Sequence, residues 1–374
     1  MMSADPLSPQ PPIALHRPDI SPADLAALRP LLDSGMLVQG PTVAAFETAI
    51  ARVAGRGHAV AVSNGTSALE LTLAALGVEV GAEVLVPALT WPSPAHAVCL
   101  RGAMPRFVEV HPTRWNSEAA DFARARTRET RAAIIIPQFG NPVDVGAIQA
   151  ALPGVTLLID GACVLGSSLH NAPATASPTR PERDIPVTLS FHPRKVLTTG
   201  EGGMILTDDA AFAQTVRTLR NHGLGADGTF LRPGGNSRLT ELGAALGLQQ
   251  LPRLEGVLAQ RRAQRAYYAE HLPAGTLQEA IEGALPNAQS VGMVLRDSRA
   301  RDTLLTRARA EGVGIGHLSY CLPLLPSLAA FGNPADVPEA ARIASCGLTL
   351  PCHTGLTPQD QDRVIALVNQ ALAA

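Results

Sequence analysis

The reading of this chain turns on Ser190-Phe191-His192-Pro193-Arg194-Lys195, running into Thr198-Thr199-Gly200-Glu201-Gly202-Gly203. The stretch sets one lysine in a tight turn flanked by proline and glycine. Upstream, Asp160 ends the apolar run Thr156-Leu157-Leu158-Ile159. Taken singly, neither residue says much: a loop lysine is ordinarily a solvated charge, and an aspartate after a strand is ordinarily a turn or helix-cap residue. Taken together they are the pair that a pyridoxal phosphate enzyme of this kind requires. The lysine amine forms a Schiff base with the cofactor aldehyde, and the carboxylate holds the pyridinium nitrogen protonated so that the ring accepts electrons. The rest of the chain has to choose between these readings.

Composition narrows the classes. The chain has 374 residues, 46% hydrophobic and 17% charged, which suits two domains or one large domain with an appendage, with a substantial core, and is too apolar for disorder. A formal net charge of −2 and a pI of about 6.6 give no electrostatic case for nucleic acid or an anionic membrane. Residues 1–12, with prolines at 6, 9, 11 and 12, read as a disordered tail without the basic start and apolar block of a signal peptide. No apolar run approaches the ~18 residues of a membrane span. Five cysteines, an odd number without CxxC spacing, argue against a disulfide framework and a structural metal. The expectation is a cytoplasmic protein with no metal.

Short apolar runs alternate with amphipathic segments. His58 to Val62, Glu83 to Val86, Ala132 to Ile136 and Val155 to Ile159 are Val- and Ile-rich, and helical patterns such as Ser67 to Leu76 and Val143 to Leu152 separate them. Such runs predict strands buried on both faces of a mostly parallel sheet, an α/β layer architecture. Leu239 to Leu272 reads as one or two long helices. After it a smaller α+β unit begins, with Val291 to Leu295 as a strand and Pro358 to Leu372 as the closing helix, capped by Thr357. The expected division is a large cofactor-binding domain over 13–253 and a smaller C-terminal domain over 254–374.

Two further clusters bear on chemistry. Ser63-Asn64-Gly65-Thr66-Ser67 follows a strand and opens a helix, where unpaired N–H groups and the helix dipole favour phosphate. An ordinary capped strand–turn–helix reads the same way. Pro87-Ala88-Leu89-Thr90-Trp91 ends another strand with a tryptophan that could stack on a flat heteroaromatic ring or fill a core. Ligands of open α/β sheets sit at the carboxyl ends of strands, so these sites can converge. Gly223-Leu224-Gly225-Ala226-Asp227-Gly228 matches GxGxxG but follows a helical segment; without its strand the pattern reads as a flexible loop.

The order of these features resembles the DegT/StrS group of pyridoxal-phosphate-dependent sugar aminotransferases over about residues 14 to 372. Ser34-Gly35, Gln39-Gly40-Pro41 and Phe46-Glu47 are similar to the family's opening motif. Ser63 to Leu69 resembles its phosphate turn, Thr90-Trp91 its stacking position, and Gly140, Pro142 and Asp144 its middle loop. Asp160-Gly161-Ala162-Cys163 resembles its aspartate motif and Ser190 to Gly203 its lysine motif. Arg220 to Gly223, Asn236 to Leu239 and Leu350 to Thr357 complete the series.

The resemblance implies the fold-type-I architecture of the aspartate-aminotransferase-like enzymes. It implies that Lys195 forms the internal aldimine and shuttles the proton, and that Asp160 pairs with the pyridine nitrogen. Trp91 would lie on the ring, and Gly65, Thr66 and Ser190 would hold the phosphate. Asn236 would reach the cofactor of a neighbouring subunit, in a homodimer with shared sites. Several positions depart from the family. Gly161 replaces a usual alanine, which loosens the turn beneath the ring. Cys163 replaces a Gln or His that contacts the ring oxygen, and thiol is a poorer donor. Pro137-Gln138-Phe139-Gly140 stands for His-Leu-Tyr-Gly, and the proline-rich 171–183 insert is unlike the usual hairpin. His192 reads equally as a packing and as a catalytic residue.

The implied reaction is ping-pong: an amino acid, glutamate by resemblance, donates its amino group, and a keto-sugar, nucleotide-linked in most relatives, accepts it. Keto-inositols and related carbocycles are the other acceptors of the family. Rival readings are a sugar dehydratase of the same family, which carries histidine in place of the aldimine lysine, and a non-catalytic regulator on the same fold, which would have a degenerate site. Lys195, Asp160, Ser190 and Asn236 are all present.

Overall fold

Each apolar run presents two apolar faces, and each face meets its own layer. In the computed structural model, which describes residues 11–176, 184–273 and 275–373, Ala61, Leu85, Ile135 and Ile159 point into one core while Val62, Val86, Ile134 and Leu158 point into cores on the opposite face. The strands are β1 (His58–Val62), β2 (Glu83–Pro87), β3 (Met104–Val108), β4 (Thr130–Ile135), β5 (Thr156–Asp160), β6 (Val187–Ser190) and β7 (Gly203–Thr207). They form one sheet in the order β1-β7-β6-β5-β4-β2-β3. Only β7 runs against its neighbours, so the sheet is mostly parallel, as expected. Full burial of a Val, Leu or Ile side chain contributes about 1.5–3 kcal/mol, so this pattern fixes which residue of each strand faces which layer.

The helices are α1 (Pro22–Ser34), α2 (Pro41–Ala54), α3 (Gly65–Ala75), α4 (Ser93–Leu100), α5 (Ala119–Ala125), α6 (Val145–Ala151), α7 (Ala210–Leu219), α8 (Glu241–Gln250), α9 (Leu254–His271), α10 (Ser298–Ala310), α11 (Pro338–Cys346) and α12 (Pro358–Ala373). Phe46 and Ile50 of α2 and Leu258 of α9 cover one sheet face. Leu69 and Leu73 of α3 and Val98 of α4 cover the other. The long helical pattern after Leu239 splits into α8 and α9 at a short 3-10 turn, Leu251–Arg253, where Pro252 has no N–H to continue the ladder. Thr357 and Asp360 cap α12 reciprocally: the Thr357 N–H donates to Asp360 Oδ2 at 3.0 Å and the Asp360 N–H to Thr357 Oγ1 at 3.1 Å.

A second sheet forms from β8 (Val291–Val294), β9 (Gly316–His317) and β10 (Gly347–Leu350) in the order β8-β10-β9, all antiparallel. Its core holds Tyr268, Leu304, Leu348 and Val368, together with Ile13 from the start of the described chain. Ile13 bridges to Val313, so residues 13–16 lie along the C-terminal unit and not on the large sheet. The start of the 171–183 insert does form a hairpin, Ala172–Pro173 pairing with Ser168–Leu169, whereas 177–183 and most of the N-terminal tail lie outside the described residues. Among the described residues no helix is long and apolar enough to cross a membrane, and no cluster could hold a metal ion. The five cysteines are all free thiols.

Candidate active site

The turns after β1, β2, β4, β5 and β6 all open at one edge of the large sheet, and a cleft of about 840 Å³ lies there, closed on its far side by residues 316–320, Thr349 and the Gln289-Ser290 pair. Asp160, the last residue of β5, sits on its floor and is 7% exposed. Its Oδ1 accepts the Ala162 N–H at 3.1 Å. Burial pushes this carboxyl above the usual carboxylate range, against that hydrogen bond and the nearby Lys195 charge, which pull it down.

Gly161 comes next, and here the sequence expectation is corrected. A Cβ at this position would stand 2.7 Å from Val187 Cγ1, 2.9 Å from Val164 Cγ1 and 3.0 Å from the Thr188 carbonyl. The turn is not loosened; neighbouring valines occupy the space an alanine would use.

Lys195 is held in a turn whose backbone is tied at every step. The Lys195 N–H donates to the His192 carbonyl at 2.8 Å, and the Arg194 N–H to His192 Nδ1 at 3.2 Å. The Gln289 amide spans the lysine: its Oε1 accepts the Val196 N–H at 3.0 Å and its Nε2 donates to the Arg194 carbonyl. Gln250 does the same for Thr198, accepting its N–H at 3.0 Å and donating to its carbonyl at 2.7 Å. Asn287 links this segment to the aspartate turn by donating to the carbonyls of Cys163 (2.7 Å) and Leu165 (2.8 Å) while accepting the Gln289 N–H. Sequence reasoning missed these three amides. Their only sequence signal is a polar run just ahead of an apolar strand, and a helix-end glutamine.

The freed end of the lysine reaches the floor, where Nζ donates to Cys163 Sγ at 3.1 Å. The thiol therefore faces the lysine amine. His192 lines the cleft as well as bracing the turn, and burial lowers its pKa, with Glu201 opposing and Arg194 and Lys195 adding to the shift.

The α3 N-terminus forms the cleft's second wall. Asn64 caps it, accepting the Ser67 N–H at 2.8 Å, which leaves the first N–H groups, those of Gly65 and Thr66, without an intrahelical acceptor. Gly65 is glycine because Ser190 presses on it: a Cβ would lie 2.9 Å from Ser190 Cβ and 3.3 Å from its Oγ. Thr66 Oγ1 pairs with Ser93 Oγ at 2.9 Å. Trp91, 58% exposed, stands at the rim with its edge against Tyr320, ring centroids 5.4 Å apart. Gly65, Thr66, Trp91, Asp160, Cys163, Ser190 and Lys195 all line this one cleft. Asn236 does not; it is exposed and accepts from Arg238 Nε at 3.0 Å. The 223–228 stretch follows α7 with no strand before it and folds back on itself through a Leu224–Phe230 bridge.

These residues fit pyridoxal phosphate on two structural grounds. The open N–H groups and hydroxyls around Gly65 offer an anion cradle that any side chain at Gly65 would fill, and the buried Asp160 carboxyl has its charge disfavoured until a cation such as a pyridinium faces it. The sheet, its cleft and the lysine–aspartate floor define a pyridoxal-phosphate-dependent aminotransferase of fold type I. The chain belongs to the DegT/DnrJ/EryC1/StrS aminotransferase family, whose model matches residues 18–369.

Solved structures agree over nearly the whole length. The aminotransferase TlmJ from Streptoalloteichus hindustanus is 29% identical, with 96% of this chain and 99% of that chain covered at a TM-score of 0.88. DesV of S. venezuelae, solved with a ketimine intermediate, is 29% identical over 94% of this chain and 95% of its own, TM-score 0.88. DesI, solved in the presence of its TDP-sugar product, is 30% identical over 97% and 93%, TM-score 0.86.

Proposed function

We propose that this protein moves an amino group from an amino acid, glutamate first among the candidates, to a keto-sugar linked to a nucleotide, with donor and acceptor using the cleft in turn. The observation that carries the reading is the lysine amine standing on the floor of a deep cleft beside a buried strand-end carboxylate. DesI and its TDP-sugar product support a nucleotide-linked acceptor. The free cysteines are consistent with a cytoplasmic enzyme.

In this reading pyridoxal phosphate supplies the carbonyl that takes up the amino group and a ring that delocalises the electrons of a broken Cα–H bond. The chain's residues do the rest. Lys195 Nζ would hold the cofactor covalently and, when released, move a proton at the substrate carbon; a primary amine on a flexible stem is both nucleophile and base. Asp160 would hold the proton on the ring nitrogen. The cradle of Gly65, Thr66 and Ser190 would fix the phosphate, and Trp91 would cover one ring face. Cys163 would lie at the ring's polar edge beside the lysine. Asn236, exposed in one chain, would complete the site of a second copy in a homodimer.

Two experiments test this. Purified protein loaded with cofactor should show a yellow absorbance band that glutamate bleaches while 2-oxoglutarate appears, and a screen of nucleotide keto-sugars and cyclitols should restore it. Protein that binds cofactor but never releases a keto acid with any amino donor would overturn the reading. For the shared site, mixing Lys195→Ala and Asn236→Ala chains should restore activity through heterodimers with one intact site; an active monomer in sedimentation would reject it.

A further inference from the structure

One end of the cleft holds two arginines that no carboxylate pairs with among the described residues, the nearest acidic influence, Glu201, acting on His192. Arg194 lines it, next to Lys195. Behind it Arg261 on α9 is only 3% exposed, its Nη1 donating to the carbonyls of Gln289 (3.3 Å) and Cys352 (2.7 Å) while its Nε has no partner. Neither arginine takes part in an ion pair among the described residues. A buried guanidinium without a counterion is costly unless an anion approaches it.

His16 faces the same end. It lines the cleft because the N-terminal segment is pinned beside residues 312–316: the Ile13 N–H donates to the Gly312 carbonyl at 2.9 Å, the Gly314 N–H to the Ile13 carbonyl at 2.7 Å, and His353 Nε2 contacts the Ala14 carbonyl at 3.0 Å. Nδ1 of His16 and Nδ1 of His353 are both buried without a partner. Burial, then Arg194, Arg261, His353 and Lys195, hold the His16 imidazole neutral, with its pKa lowered to about 4, and no carboxylate figures among those influences. A neutral imidazole can still donate one hydrogen bond to an anion.

We propose that the Arg194–His16 end of the cleft is an oxyanion subsite that binds the α-carboxylate of the amino-acid donor, with Arg194 making the direct contact and Arg261 supplying positive potential from behind. The inference rests on the aminotransferase reading above. Placement favours the donor carboxylate over the phosphates of an acceptor. An α-carboxylate is bonded to the very carbon whose proton Lys195 would move, so its site must adjoin that lysine, and Arg194 is the neighbouring residue. A nucleotide's phosphates lie a whole sugar ring away from the reacting carbon. A guanidinium also matches a carboxylate in bidentate geometry.

The test uses the loaded enzyme and separates the two sources of oxyanion. Arg194 is exposed, so Arg194→Gln should fold, which its melting temperature and cofactor content would verify. This variant should raise the KM for glutamate in the first half-reaction by about 10- to 100-fold, the usual weight of a charge-assisted hydrogen bond, with a smaller change in kcat. The dissociation constant of α-methylglutamate, which has no α-proton to lose, should rise by the same factor in an absorbance titration. Arg194→Lys should recover part of the loss, and His16→Asn should weaken binding less.

Inhibition by TDP and UDP should be unchanged in Arg194→Gln. If nucleotide inhibition weakens tenfold while glutamate binding holds, the subsite serves phosphate and the carboxylate assignment is overturned. If neither changes, the subsite itself is overturned, although wild-type turnover with glutamate would leave the aminotransferase reading standing.

Discussion

Replacing Gly161 with alanine tests whether the floor of the cleft is loose or filled. If the glycine merely loosens the turn, alanine should stabilise the protein by about 0.4–1 kcal/mol, because it restricts the unfolded chain and Gly161 does not need a left-handed backbone. The contacts give the opposite sign. The new Cβ would meet two methyl groups and a carbonyl at 2.7, 2.9 and 3.0 Å. Val187 and Val164 are fully buried, and β-branched side chains are restricted at χ1 and closely packed here, so neither methyl can swing away cheaply. Overpacking of this kind costs about 1–3 kcal/mol. Set against the unfolded-state gain, Gly161→Ala should destabilise by roughly 1–2 kcal/mol.

Val187→Ala alone should also destabilise, by leaving a cavity. In the double variant the alanine methyl would enter that cavity, so the two changes should couple favourably by about 1 kcal/mol. Urea unfolding of the cofactor-free protein, followed by far-ultraviolet circular dichroism, gives the four midpoints of the cycle. The same shift displaces Asp160, so cofactor affinity should fall in Gly161→Ala and recover in the double variant. A Gly161→Ala protein at least as stable as wild type, or strictly additive effects, would refute the argument.

Other consequences are simpler to read. Lys195→Arg keeps the charge, but guanidinium neither attacks a carbonyl nor accepts a proton near neutral pH, so 2-oxoglutarate formation should fall by at least about 10²–10⁴-fold; turnover near wild type would remove Lys195 from its role. Asp160→Asn should leave the cofactor-free protein at least as stable at neutral pH, because burial disfavours the charge it removes, yet it should gain less melting temperature on adding cofactor than wild type does. An equal gain would mean that Asp160 faces no cation. His16 has a folded pKa of about 4, below the 6.5 of the unfolded chain. The unfolded state therefore binds the proton first on acidification, and stability should drop between pH 6.5 and 4 by on the order of 2 kcal/mol after allowing for its partial exposure. His16→Asn should flatten part of that limb in pH-dependent urea unfolding, the remainder belonging to His192 and His353, which burial also lowers. An unchanged limb would show that His16 is not held neutral.

Much of this molecule was legible without coordinates. Strands such as His58–Val62 and Thr156–Asp160 announce themselves because a run apolar on both faces can be satisfied only between two helical layers. The lysine and aspartate turns are local, and Pro, Gly and capping residues fix local backbone irrespective of what packs on them. Lys195, Asp160, the Gly65-Thr66 turn and Trp91 could therefore be picked out one by one, whereas Ser190 and Cys163 followed only from the family resemblance, and parallel strands with crossover helices bring their carboxyl ends to the same edge.

What only the tertiary structure decided are the contacts between residues far apart in sequence. Gln289 brackets Lys195, Asn287 ties the Cys163 turn to the same segment, and His16 reaches the cleft from the opposite end of the chain. An amide or imidazole has no periodicity and no local partner to betray its role; its partners are fixed by how the second unit seats against the first. Gly161 teaches the same point, since its meaning lies in Val187 and Val164. Sequence determined which backbone segments meet at the sheet edge, because burial and turn chemistry act locally, whereas the fill, charge and hydrogen bonding of the cleft come from surfaces that exist only once the chain has closed on itself.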